Sequence, residues 1–157
     1  VSISFFGLAV GGPLFGWLAN YWNNLYRAMF AGLTCSLLGL AFTLFAPGQH
    51  VWLLCFALFL FGFGTGAFMV GFALGKRWSS VALAATVVAM INTGDAVFST
   101  FTEPLVGKLM DHFWLGRMYH GAPIFSEHTY HLAMLVLPLY LILATSVLVI
   151  IRKIDKP

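Results

Sequence analysis

Charge is what this chain has least of. Among 157 residues there are 8 Lys or Arg and 5 Asp or Glu, 8% in all, against about a quarter in ordinary soluble domains. So few charges cannot solvate a globular surface of this size, which excludes a soluble domain. Cysteine is scarcer still. Cys35 and Cys55 both fall inside apolar runs, without C-x-x-C spacing or a secreted framework, so they read as packing residues and not as a disulfide or metal pair. No Ser/His/Asp triad, phosphate loop or protease motif occurs; an enzyme is not expected and no cofactor is implied. Gly62-Phe63-Gly64-Thr65-Gly66 has the glycine spacing of a dinucleotide loop, but the apolar run continues through it without the strand–turn–helix context such a loop needs. Low-complexity tracts and internal repeats are also lacking. The first residue is Val1, and neither a basic n-region nor a cleavage site precedes the first apolar run, which argues against a signal peptide. The expectation is that the chain is the carboxy-terminal piece of a longer protein.

What is present is hydrophobic sequence, 61% of residues. Five runs approach or exceed the roughly 20 residues needed to cross a bilayer: Ser4–Ala19, Tyr26–Ala46, Val51–Leu74, Val81–Gly107 and Tyr130–Ile151. The fold class expected is all-α, a polytopic transmembrane helical bundle forming one membrane domain. Lys108–Thr129 forms its only long loop and residues 152–157 its tail. Arg27, Lys76, Arg77, Arg152, Lys153 and Lys156 fall on one side, Lys108 and Arg117 on the other. By the positive-inside rule the carboxy terminus is cytoplasmic, and a bacterial inner membrane is the expected location. The net charge of +3 is thereby a topology signal. It gives no support to a nucleic-acid partner, because the basic residues are split among short segments.

Asp95 lies near the centre of the fourth run. An ionised acid at a helix centre costs about 2.5–3.5 kcal/mol even on lenient insertion scales, and such residues commonly mark a pathway, a relay or a buried pair. At 100° per residue, Asn92, Asp95, Ser99, Thr102 and Glu103 share an arc of roughly 100°, a polar stripe on an apolar helix. One reading makes Asp95 a proton-coupling or substrate-contacting group, loading and releasing a proton as access alternates, with Asn92 and Ser99 on the substrate pathway. The other makes it a structural group hydrogen-bonded to Asn92, Ser99 or a neighbouring helix. Glu103 reads as an outer gate or second titrating group, or else as an acid at the edge of the hydrocarbon or one paired with Lys108. Pro104 removes a helix hydrogen bond and tends to kink the run.

Small residues recur at four-residue spacing: Gly7/Gly11, Gly12/Gly16, Gly62/Gly66 and Gly71/Gly75. In lipid such pairs let backbones approach closely. Gly62, Gly64 and Gly66 together also suit a helix that must bend or slide. Pro47-Gly48-Gln49-His50 reads as a tight external turn, and Asn20–Leu25 and Gly75–Ser80 as polar cytoplasmic turns. The five tryptophans, Trp17, Trp22, Trp52, Trp78 and Trp114, sit near span ends like an interfacial belt. All five histidines (His50, His112, His120, His128, His131) fall on the outer side. His128 and His131 share a helix face, which opens a metal-site alternative.

Gly12-Pro13-Leu14-Phe15-Gly16-Trp17-Leu18-Ala19-Asn20, continuing to Arg27, resembles the cytoplasmic Gly-x-Leu-Ala-Asp-Arg-x-Gly-Arg-Arg turn of the major facilitator superfamily of transporters, in its second-half copy. Pro104-Leu105-Val106-Gly107-Lys108-Leu109-Met110-Asp111 is similar to the pattern that ends that family's eleventh helix. The resemblance covers essentially the whole chain. It implies helices eight to twelve of a twelve-helix fold, Gly16, Asn20 and Arg27 in a conformational motif, and a substrate site shared with an amino-terminal half. Asn20 stands where the family has an acid and Tyr21 where a basic residue follows, so the charge relay attributed to that turn does not carry over by residue type. Asp95 belongs to no superfamily-wide motif. The function expected is the carboxy-terminal part of a secondary active transporter for a small polar solute or organic anion, working by alternating access with protons as a candidate coupling ion. Its partners would be that solute, the lipid bilayer and the missing half. The alternative is a small membrane metal- or haem-handling or assembly protein using the histidine-rich outer loop.

Overall fold

Long apolar runs form helices because a backbone in lipid must satisfy its own hydrogen bonds. The computed structural model describes residues 1–45 and 50–155. Five stretches are long and apolar enough to cross a membrane: Ser2–Tyr21, Leu25–Phe45, Val51–Arg77, Val81–His112 and Glu127–Ile154. These match the expected runs but extend further at most ends, since polar residues beyond the apolar limit prolong a helix into water. The first two are unbroken, α1 (Ser2–Tyr21) and α2 (Leu25–Phe45). The polar turn between them is shorter than Asn20–Leu25. Helix α1 runs through Asn20, and the Asn24 side chain accepts the Arg27 N–H at 3.0 Å, capping the first turn of α2. Of the Pro47–His50 turn, only His50 lies within the described residues; it precedes the next helix and is exposed.

The third span is two helices, α3 (Val51–Thr65) and α4 (Phe68–Arg77). Across the join the Ala67, Met69 and Val70 N–H groups bond carbonyls three residues back (Gly64, Gly66 and Ala67) at 3.0–3.1 Å. The chain tightens there because successive glycines favour helix poorly, each by about 1 kcal/mol relative to alanine. The same glycines are packed. Helix α3 lies between α1 and α2, and a Cβ on Gly62 would strike the Ser4 carbonyl of α1. One on Gly64 would strike Gly32 and Ser36 of α2, and one on Gly66 the backbone of Gly11 and Gly12. Gly7, Gly11, Gly32 and Gly39 face the seam from the other side. Phe15, Ala19, Ala28, Ala67 and Val70 complete this core, with the Phe15 and Phe63 rings 5.2 Å apart. The seam is two-sided, and close backbone approach is its physical basis. Gly16 takes no part in it; nothing lies within 4 Å of its Cβ direction.

A 3-10 turn (Val81–Leu83) leads into α5 (Ala84–His112). Pro104 lies inside α5, and the helix continues past it. The expected outer loop is consequently shorter than Lys108–Thr129. Lys108, Asp111 and His112 belong to α5, while Glu127 and His128 open α6 (Glu127–Met134). Between them lies a small hairpin, β1 (Met118–Tyr119) paired antiparallel with β2 (Ala122–Pro123), turned by His120 and Gly121 at φ of 47° and 80°. Both turn residues are left-handed, as tight hairpins require. Ser126 caps α6 by accepting the Thr129 N–H at 3.2 Å, and the buried Thr129 hydroxyl donates to the Phe113 carbonyl at 3.0 Å, tying the loop base to the end of α5. The last helix, α7 (Val136–Ile154), is separate from α6 because Pro138 has no N–H to offer Met134. No described residue of α5 is buried, and in α7 only Leu148 is.

Candidate functional site

The polar stripe of α5 is exposed along most of its length, on a helix that its neighbours hold near the ends and, at one point between them, through a single α7 side chain. At its start, Val87 and Ile91 lie over Gly75 of α4. Asn92, Asp95, Ser99 and Glu103 are exposed, and Thr102 is half-buried. Thr100 and Thr102 hydroxyls donate to carbonyls one turn back (Ala96 and Phe98), each at 2.8 Å. Among the described residues, the side chains of Asn92, Asp95 and Ser99 have no hydrogen-bond or ion-pair partner, and Glu103 forms no ion pair with Lys108.

One side chain of α7 reaches the middle of α5. The Tyr140 ring meets the Phe98 ring edge-on, 5.2 Å between centroids at 75°, and its hydroxyl lies 3.5 Å from that of Thr102. Tyr140 was not foreseen from the sequence. Its signal is present there, a lone phenol in the apolar run Leu137-Pro138-Leu139-Tyr140-Leu141. Beside this contact a cavity of about 450 Å³ opens between α3, α5 and α7, lined by Phe61, Thr65, Phe98, Tyr140, Leu141 and Ala144 among others. A second, of about 470 Å³, lies between α2, α3, α4 and α7 and shares Thr65, Leu141, Ala144 and Val147 with the first.

A second polar cluster sits at the end of the bundle where α2 begins and α4 and α7 finish. Asp155, the cap residue after α7, accepts the Tyr26 hydroxyl on Oδ2 and the Trp78 indole N–H on Oδ1, each at 2.8 Å, with the Arg77 guanidinium 3.8 Å away. The Trp78 hydrogen bond, then that of Tyr26, with Arg77 adding, holds the Asp155 carboxyl below its ordinary range against a smaller opposing desolvation. Beneath it Tyr26, Leu74 and Leu148 pack together, and Arg152 stands over the Phe30 ring at 5.9 Å. Asp155 is the one acid in a basic tail, and that isolation is the clue the sequence offered.

The remaining expected residues are dispersed. Asn20 and Arg27 are exposed at the α1–α2 turn, and Arg27 makes no ion pair among the described residues. His131 Nε2 lies 3.9 Å from Glu127 Oε1 on α6, while His50, His112 and His120 belong to other elements. Among the described residues no three His, Cys, Asp or Glu side chains gather closely enough to hold a metal ion. Cys35 and Cys55 are free thiols, half-buried within α2 and α3.

These features define a helical protein of the membrane-spanning class, with five helices long and apolar enough to cross. No family model, curated protein or solved structure matches the chain.

Proposed function

We propose that this chain is the carboxy-terminal part of a secondary active transporter of the major facilitator type, moving a small solute by alternating access with protons as the coupling ion. The observation that carries the reading is Asp95, an acid at the middle of a span-length helix, left without an internal partner on a face with Asn92, Ser99 and Thr102. A helix with no buried residue and a polar stripe has the character of a cavity wall completed by further helices. The Asp155 contacts support the proposed orientation, since they gather the basic segments around Arg27, Lys76–Arg77 and Arg152–Lys153 at one end of the bundle.

Proton coupling supplies the driving force: one charge crossing the membrane gains about 2.3 kcal/mol per 100 mV. In liposomes containing the product of the full reading frame, a pH gradient is expected to drive solute accumulation. Asp95→Asn should abolish that accumulation while membrane insertion and monodispersity stay normal. Accumulation undiminished in Asp95→Asn would remove Asp95 from the coupling role.

A further inference from the structure

The spans of this chain carry negative charge in their interior and no positive charge to balance it. Arg27, Lys76, Arg77, Arg152 and Lys153 lie at helix ends, Arg117 in the outer loop, and Lys108 only four residues before α5 finishes. Asp95, near the middle of α5, and Glu103, about two turns nearer its end, therefore lie without a cation beside them in the span interior, and neither forms an ion pair among the described residues. A buried acid without a partner is expensive unless a proton or another cation joins it.

The surface next to Asp95 is apolar and aromatic. Phe98, one turn further along α5 and about 4.5 Å along its axis, lines the cavity between α3, α5 and α7 together with Phe61 and Tyr140. Thr102, which meets the Tyr140 hydroxyl, is only about 20° from Asp95 in helical projection. In projection Asp95 thus falls beside the edge of α5 that meets α7, one turn before Phe98, exposed and outside the cavity's own lining. The cavity, at about 450 Å³, is of the size that small organic ligands occupy. Thr65 and Tyr140 bring the two hydroxyls of its lining. Aromatic faces attract cations and stack on flat rings, and an acid at the edge selects positive charge.

We propose that this cavity binds an organic cation with a flat apolar body, the body lying against Phe61, Phe98 and Tyr140 and the charge directed to Asp95. The inference rests on the transport reading and narrows its solute: an anionic solute would meet two acids and no basic side chain in the interior of these spans. The cavity walls contribute contact area, and Asp95 contributes the discrimination.

Equilibrium binding to the product of the full reading frame, purified in a non-ionic detergent, tests this with three ligands of one shape. They are N-methyl-phenylpyridinium, neutral phenylpyridine at mildly alkaline pH, and phenylbenzoate. The cation should bind at least about tenfold tighter than the neutral ligand, about 1.4 kcal/mol, and the anion weakest. Asp95→Asn should erase the preference and Asp95→Glu retain it. Ala144→Phe, which fills the cavity, should weaken cation and neutral ligand alike, and Phe98→Ala should do the same should the larger side chain not be accommodated. Equal affinity for cation and neutral ligand, a preference that survives Asp95→Asn, or binding indifferent to both cavity variants would each overturn the proposal. Proton-driven accumulation without a cation preference would leave transport standing and sink the ligand assignment. A cation preference without any accumulation would do the reverse.

Discussion

Gly64→Leu is expected to cost the protein about 3 kcal/mol or more of stability, at or beyond the upper end of the usual range for overpacking a core. Most inserted side chains find a neighbour that can rotate away. Here the obstacles are the Gly32 carbonyl and Ser36 amide of α2, with the Ser36 hydroxyl at 2.5 Å from the added Cβ. Backbone cannot yield without moving a helix. Moving α2 outward would also separate Gly39 from α3 and break the Ser36 hydroxyl bond to the Phe61 carbonyl, 3.2 Å in length. Thermal denaturation in detergent provides the measurement, with Gly107→Ala as the control. A Cβ at Gly107 meets nothing within 4 Å, so that variant should match or slightly exceed the parent. Equal melting of Gly64→Leu and Gly107→Ala would refute the seam as the centre of packing.

Asp155→Ala is expected to release the end of α7. The substitution removes the acceptor of two hydrogen bonds at once, leaving the Tyr26 hydroxyl and the Trp78 indole N–H without their partner. Hydrogen exchange should accelerate by at least about tenfold in the last two turns of α7 and at the close of α4, and Trp78 emission should shift to the red as water reaches the ring. Exchange in the α1–α2–α3 seam should stay as it was. The pH dependence follows from the direction in which Asp155 is shifted. Its carboxyl is lowered in the folded state, so the cluster contributes fully above the unfolded carboxylate value of about 3.9 and loses that contribution as pH falls through the lower folded value. Between neutrality and mild acid the protection of α7 should therefore be flat. A loss of protection near pH 6 would point to a histidine in place of Asp155.

Much of the architecture was legible in hydropathy, because helices in lipid have one dominant requirement, unbroken apolar length. The small-residue spacing likewise indicated where helices meet, although it could not separate Gly64, clamped against α2, from Gly16, which touches nothing. Spacing records that a backbone is bare and says nothing of which helix approaches it. The break at Gly66–Ala67 is indicated by sequence only as a stretch suited to bending, and the one at Leu135 not at all. Each lies inside an apolar run, where hydropathy is blind to a change of hydrogen-bond pattern. The stripe around Asp95 was readable because helical periodicity fixes its angular width. Tyr140 and Asp155 were not, since their importance arises from partners 38 and 129 residues away in sequence. Pairings over such distances exist only once the bundle has formed.

The glycine seam also has a mechanical consequence. Sliding α3 by one residue against α1 or α2 would carry Phe61 or Phe63 into the space that now admits only Gly62, so the three helices have no intermediate register. They form a stiff slab. The attachment beyond the slab is thinner: α5 meets the middle of α7 through the Tyr140 ring, and α7 joins α2 and α4 at its far end through Leu148 and Asp155, with voids between.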